Sequence, residues 1–110
     1  MTLYSPFRAG RTFTAADADA LAARLKVLAD PARLRIIAVI AEHGSTTVTD
    51  LMPVLGIGQA AVSHHLKLME SAGLITSRRS ERVGTVVHRV LDVDAVARLA
   101  KLIDPYGGAR

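Results

Sequence analysis

Up to Gly73 the apolar residues of this chain recur at helical intervals; beyond it they fall into β-branched runs, Leu74-Ile75-Thr76 and Thr85-Val86-Val87-His88-Arg89-Val90. Intervals of three and four residues gather apolar side chains on one face of a helix, whereas β-branched runs bounded by turn residues read as strands. A block of helices followed by one hairpin is therefore expected, with the polar, glycine-bearing segment from Arg78 to Gly84 as its charged tip.

Capping chemistry sets the boundaries inside the helical block. Thr14 followed by Asp17 has the spacing of an N-cap with an acid in the first turn, and Leu21, Leu25 and Leu28 recur behind it, which predicts a helix over 15–29. Asp30-Pro31 supplies a cap and then a proline at the first helical position, where its missing N–H costs nothing. The helix it opens, 31–43, is expected to be mostly buried through Leu34, Ile37, Ala38 and Ile40 and to stop at Gly44.

Thr46 and Thr47 can both cap a third helix reaching Leu55, with Val48, Leu51 and Val54 or Leu55 pointing inward. Pro53 removes one backbone hydrogen bond from it, which predicts a kink or a later start. Gly56-Ile57-Gly58 then turns the chain, and Gln59 begins a helix whose inward set is Val62, Leu66 and Met69 and which closes at Ala72-Gly73. After the hairpin, Asp92 or Asp94 caps a last helix with Val96, Leu99, Ala100 and Ile103 as its apolar stripe, ended by Pro105 and Gly107-Gly108. Residues 1–13, which mix Pro6, Arg8, Gly10 and Arg11 without apolar period, read as a flexible basic arm, 14–104 as one domain and 105–110 as a tail.

The fold class that results is α+β and mainly helical: a winged helix-turn-helix of four helices, a two-stranded wing hairpin and a C-terminal helix. In that order of elements the second helix of the turn enters the major groove of DNA and the hairpin flanks it. With Val62, Leu66 and Met69 inward, Ala60, Ser63, His64 and Lys67 turn outward, and Gln59 opens the helix. Gln59 and His64 can hydrogen-bond base edges, Ser63 a base or a phosphate, and Lys67 a phosphate. The wing places Arg78, Arg79 and Arg82 against one acid, Glu81, which suits the DNA backbone or an adjacent minor groove. A basic hairpin also serves as a solvated edge that blocks strand aggregation, so the DNA reading rests on turn, helix face and wing together.

Composition closes off other classes. The chain has no cysteine, which excludes disulfides, thiolate metal sites and thiol switches. A net charge of +4 favours an acidic partner such as nucleic acid. Half of the residues are apolar, so much for a small domain that some of the surface is expected to meet another subunit. There is no apolar run of spanning length and no signal-peptide core in MTLYSPFRAGRTF, so a cytoplasmic protein without membrane contact is expected. No nucleophile-base pair, carboxylate pair or phosphate-binding glycine loop is present, which argues against an enzyme.

Two stretches stand out: Leu28-Ala29-Asp30-Pro31-Ala32-Arg33-Leu34-Arg35-Ile36-Ile37 and Ala61-Val62-Ser63-His64-His65-Leu66-Lys67-Leu68-Met69, with Ala72-Gly73-Leu74-Ile75 behind the second. Together they resemble the arsenic/zinc-type metalloregulators of the ArsR/SmtB family. The resemblance implies a cytoplasmic bacterial homodimer joined by its first and last helices, the last being a dimerisation helix. It further implies binding to an imperfect palindromic operator, usually as a repressor at a stress or metal-response promoter, with modulation by an effector.

The family's sensor positions are only partly filled. Where thiolate sensors carry two cysteines, this chain has Thr47-Val48-Thr49, which offers no soft sulfur. Where zinc sensors carry carboxylate and histidine ligands on the last helix, Asp92 and Asp94 resemble the first pair, but Ala100, Leu102, Asp104 and Pro105 follow without histidine. Two aspartates so placed also read as caps. His65 and His88 match scaffold positions, His43 follows the second helix and His64 lies on the DNA side. A nickel or zinc site assembled between subunits from His43, the N-terminal amine or terminal residues stays open, as does a regulator that lacks its own sensor and relies on a partner protein for nickel or other metal sensing.

Overall fold

The computed structural model describes residues 14–79 and 86–103, the side chains of 100–103 aside. The elements are α1 (Ala15–Leu28), α2 (Pro31–His43), α3 (Val48–Leu55), α4 (Gln59–Ser71), β1 (Ile75–Arg79), β2 (Val87–Leu91) and α5 (Val93–Ile103). The expected arm and tail lie outside the described residues.

Local chemistry starts the first three helices where the caps predict. At α1 the Asp17 amide donates to the Thr14 hydroxyl at 3.1 Å while the Asp17 carboxylate accepts from the Thr14 amide at 2.9 Å, a complete capping box. Asp30 caps α2 by accepting from the Arg33 amide at 3.1 Å, and Gly44 ends it at φ +89°. Thr47 alone caps α3, through the Asp50 amide at 3.1 Å, and Gly56 ends it in the left-handed region.

Thr46, expected as an alternative cap, instead bridges to the hairpin: its N–H donates to the Arg89 carbonyl at 3.1 Å and its carbonyl accepts from the Arg89 amide at 2.8 Å. α3 starts directly after Thr47 and runs unbroken through Pro53, so the later start does not occur. Thr49, four residues before the proline, is exposed, which leaves water to solvate the carbonyl that loses its helical donor.

The core is one cluster: Ile36, Ile40, Leu51, Val62, Leu66, Met69, Leu74, Ile75 and Leu99. All of its side chains are aliphatic or thioether, and the four aromatic residues, Tyr4, Phe7, Phe13 and Tyr106, fall outside the described residues. Leu66 on α4 and Leu51 on α3 meet Ile36 and Ile40 on α2 there, and Leu99 brings α5 onto the same mass.

The phase expected for α2 is corrected. Ile36 and Ile40 are its buried residues, whereas Leu34 is 53% exposed, Ala38 is exposed and Ile37 is half-buried, so the helix is not mostly buried. Apolar residues at 34, 36, 37, 39 and 40 surround most of its circumference, and packing against α4 and β2 selects one face among them. On α3, Leu51 is buried and Leu55 packs against the core, while Val54 is 40% exposed.

The hairpin is also longer than expected on its first side. β1 and β2 pair antiparallel with Ile75 opposite Leu91, Ser77 opposite Arg89, Arg78 opposite His88 and Arg79 opposite Val87. Arg78 and Arg79 are thus strand residues and not part of the tip; charged side chains are tolerated because β1 beyond Ile75 is exposed. Leu74, taken as a strand residue, precedes β1, and β2 begins at Val87 rather than Thr85. Asp92 caps α5, accepting from the Ala95 amide at 3.1 Å, and Asp94 is an exposed first-turn acid. On α5, Leu99 is buried and Val96 half-buried as expected, Ala95 is buried as well, and Ala100 and Ile103 lie outside the described side chains.

Candidate nucleic-acid interface

α3, the glycine turn and α4 form a helix-turn-helix whose second helix is anchored by one stripe. Val62, Leu66 and Met69, at intervals of four and three residues, are fully buried. The opposite side carries Ala60, His64 and Lys67, all exposed, with half-exposed Ser63 at its flank. Gln59, in line with the buried stripe, is exposed as the first residue of the helix and borders the cleft toward β2. Gly58 is the N-cap and gives no side-chain hydrogen bond, and no acid lies in the first turn, so the positive end of the helix dipole stays uncompensated by side chains.

His65 points away from that face. Its Nδ1 accepts from Nε of Arg33 at 3.0 Å, and Nη1 of the same arginine donates to the Val27 carbonyl at 2.8 Å. Asp30 stands beside this group, and its carboxyl is held below the usual carboxylate range, first by the hydrogen bond from the Arg33 amide and then by the charges of Arg33 and His65. At the far end of α4, Nε of Arg24 donates to the Ala72 carbonyl at 3.0 Å.

The wing is tied to α4 through Glu70. The Ser77 hydroxyl donates to the Glu70 carboxylate, and Arg89 Nε lies 3.9 Å from it. Because side chains alternate across a pleated strand, Arg79 shares a face with Ser77, Arg89 and Val87, whereas Arg78 lies with Thr76, His88 and Val90 on the other. The two arginines, both exposed, thus point from opposite faces of the hairpin. Arg82 and Glu81 lie outside the described residues. An open cleft of about 300 Å³ separates β2 from the N-termini of α3 and α4, bordered by Thr47, Thr49, Gln59, Val87 and Arg89.

The sensor positions hold structural roles here. Thr47 is a helix cap, and Asp92 is engaged as the cap of α5. Among the described residues no group of three or more histidines, aspartates or glutamates is placed to hold a metal ion. His43 is exposed and lies 3.8 Å from Glu42. Sequence reasoning missed Arg24, Arg33, Glu70 and Arg89 as parts of the scaffold behind the site. Their partners are up to 48 residues away in the chain, beyond any local pattern.

A helix-turn-helix with an outward polar second helix and an attached hairpin defines a winged DNA-binding domain. Residues 30–77 match the model of the bacterial regulatory proteins of the arsR family. The chain is 38% identical over 79 residues to the arsenical resistance operon repressor of Escherichia coli, covering 72% of this chain and 65% of that protein. It is 34% identical over 79 residues to an uncharacterised HTH-type transcriptional regulator of Methanocaldococcus jannaschii, covering 72% of this chain and 85% of that one. Among solved structures, the homodimeric winged helix-turn-helix domain of a possible ArsR-family regulator from Mycobacterium bovis superposes with a TM-score of 0.70 at 31% identity. That superposition covers 87% of this chain and 86% of the other. The protein belongs to the ArsR family and is a transcriptional regulator, not an enzyme.

Proposed function

We propose that the protein is a cytoplasmic homodimeric repressor that reads an imperfect palindromic operator with α4. The observation that carries this reading is the division of α4 into a buried stripe, Val62, Leu66 and Met69, and an outward face, Ala60, Ser63, His64 and Lys67, with Gln59 exposed at the N-terminal end. Gln59 and His64 reach base edges, Ser63 a base or a phosphate, and Lys67 a phosphate farther along the helix, while the uncapped N-terminus adds partial positive charge toward a phosphate. Arg78, Arg79 and Arg82 of the wing contact the flanking backbone.

Dimerisation is supported by the homodimeric relative and by apolar side chains left exposed on the outer helices, Leu25 of α1 at 45% and Val93 of α5 at 72%. A dimer would offer two recognition helices roughly 34 Å apart, one turn of duplex, and an effector would act by changing that spacing. Repression is supported by the Escherichia coli relative, named as a repressor.

Fluorescence anisotropy with a duplex from the protein's own upstream region tests the reading. A saturable complex that weakens steeply with salt is expected. Absence of any such complex would refute it. Repeating the titration with nickel or zinc separates direct metal control, which shifts the affinity, from sensing through a partner protein, which leaves it unchanged.

A further inference from the structure

One side chain on α2 reaches two other helices behind the DNA-reading face. Arg33 lies in the first turn of α2, its amide bonded to the Asp30 cap. Its guanidinium reaches back to α1, donating to the Val27 carbonyl at 2.8 Å, and across to α4, donating to His65 Nδ1 at 3.0 Å. His65 follows His64 directly and precedes Lys67 by two positions, so any rotation of α4 about this contact moves both outward side chains.

We propose that Arg33 is a positioning residue for α4, and that its bond to His65 makes specific DNA recognition sensitive to protons. This rests on the assignment of α4 as the recognition helix.

The chemistry is that of an acceptor which a proton destroys. Nδ1 accepts from Arg33 only while it carries no proton, with hydrogen on Nε2. Protonation leaves an imidazolium with two donors and no acceptor, set against a guanidinium. The charged and titratable groups around the ring are Arg33 and Asp30 from the start of α2 and His64 on α4, whose ring centroid is 6.3 Å away; α1 contributes the uncharged Val27 carbonyl. Asp30 favours the imidazolium and Arg33 opposes it, but only the neutral ring keeps the bond that links α2 to α4. Acid therefore loosens the link, and alkaline conditions restore it.

The test compares the wild type, His65→Asn and Arg33→Lys. Anisotropy is recorded with the upstream duplex and with a scrambled duplex, at constant salt, from about pH 8 to about pH 5.5, the span of ordinary histidine titration. The ratio of specific to nonspecific affinity should fall about tenfold toward acid in the wild type, the scale of one lost charged hydrogen bond. In His65→Asn the fall should be clearly smaller than in the wild type, because the amide oxygen accepts from Arg33 and does not titrate. Arg33→Lys should start from a lower ratio and fall no more than His65→Asn, since an ammonium lacks the planar fork that serves both partners.

His64 is present in all three proteins, so any pH effect of its own is common to them and drops out of the comparison. Imidazole ¹⁵N NMR on the free protein gives a readout without DNA: an unprotonated, hydrogen-bonded Nδ1 at neutral pH in the wild type, with that signature lost in Arg33→Lys. Identical pH profiles for the wild type and His65→Asn, or a wild-type Nδ1 that carries the proton at neutral pH, would overturn the proposal while leaving α4 as the DNA reader. Failure of the wild type to bind either duplex would overturn that assignment and the proposal with it.

Discussion

Nε of Arg24, near the end of α1, donates to the carbonyl of Ala72 at 3.0 Å, so the first helix closes the C-terminal end of α4. The last carbonyls of a helix lack partners within it, and here a charged donor from another element supplies one. The chain leaves α4 through Gly73 at φ +75°, where a β-carbon would sit 3.4 Å from Nη2 of Arg24. A helix end, a glycine and a remote arginine are therefore one unit.

Gly73→Ala should cost about 1–2 kcal/mol, chiefly from the left-handed backbone, with the new β-carbon in contact with Nη2 of Arg24. Arg24→Ala should cost about 1 kcal/mol, because the partly buried carbonyl loses its donor. As both changes act on one contact, the double variant should lose less than their sum in urea unfolding. Strict additivity would show that the two residues are independent.

The phase of α2 has a direct consequence. Ile36→Ala should cost about 2–5 kcal/mol, the range for emptying a buried aliphatic site. Leu34→Ala, at a position 53% exposed, should stay within about 1 kcal/mol. Equal losses in chemical denaturation would mean that α2 presents a different face to the core.

Two variants on α4 separate phosphate contact from base reading. Lys67→Ala should weaken binding to all duplexes alike and reduce the salt slope by about one unit. His64→Ala should change which sequences are preferred. An unchanged preference in a binding-site selection would remove His64 from the base-reading set.

Asp30 gives a pH prediction. Its carboxyl is held below its ordinary value of 3.8, so the charged form belongs to the folded state. That contribution is complete above the unfolded value and disappears as the pH falls through the lower folded one. Asp30→Asn, which caps a helix without titrating, should therefore be slightly less stable than the wild type near neutrality, with the gap closing as the pH falls below 3.8. The site is solvent-exposed, so the difference should be small, and thermal melts across the acid range will measure it.

Much of the fold was legible because caps and glycines act locally. Thr14, Asp30 and Thr47 bond amides three residues ahead, and Gly44 and Gly56 adopt positive φ, so the residue types alone located these ends. The outward face of α4 was legible for a related reason: Val62, Leu66 and Met69 leave only one self-consistent inward side. α2 was misread because its apolar residues nearly encircle it, and periodicity then selects no face. β1 was drawn too short because Arg78 and Arg79 look like a solvated tip, although an exposed strand accommodates them. The arginine contacts behind α4 depend on tertiary placement, and no spacing rule could supply them.

The interior made only of branched and thioether side chains sets what will be visible when this protein is watched in solution. With no tryptophan in the chain and no tyrosine in the described core, that core itself contributes no intrinsic fluorescence or near-ultraviolet circular dichroism signal. The same interior is dense in methyl groups from isoleucine, leucine, valine and Met69, which isotope-labelled NMR resolves one by one. Motions between apo, DNA-bound and acid forms should register first in those spectra.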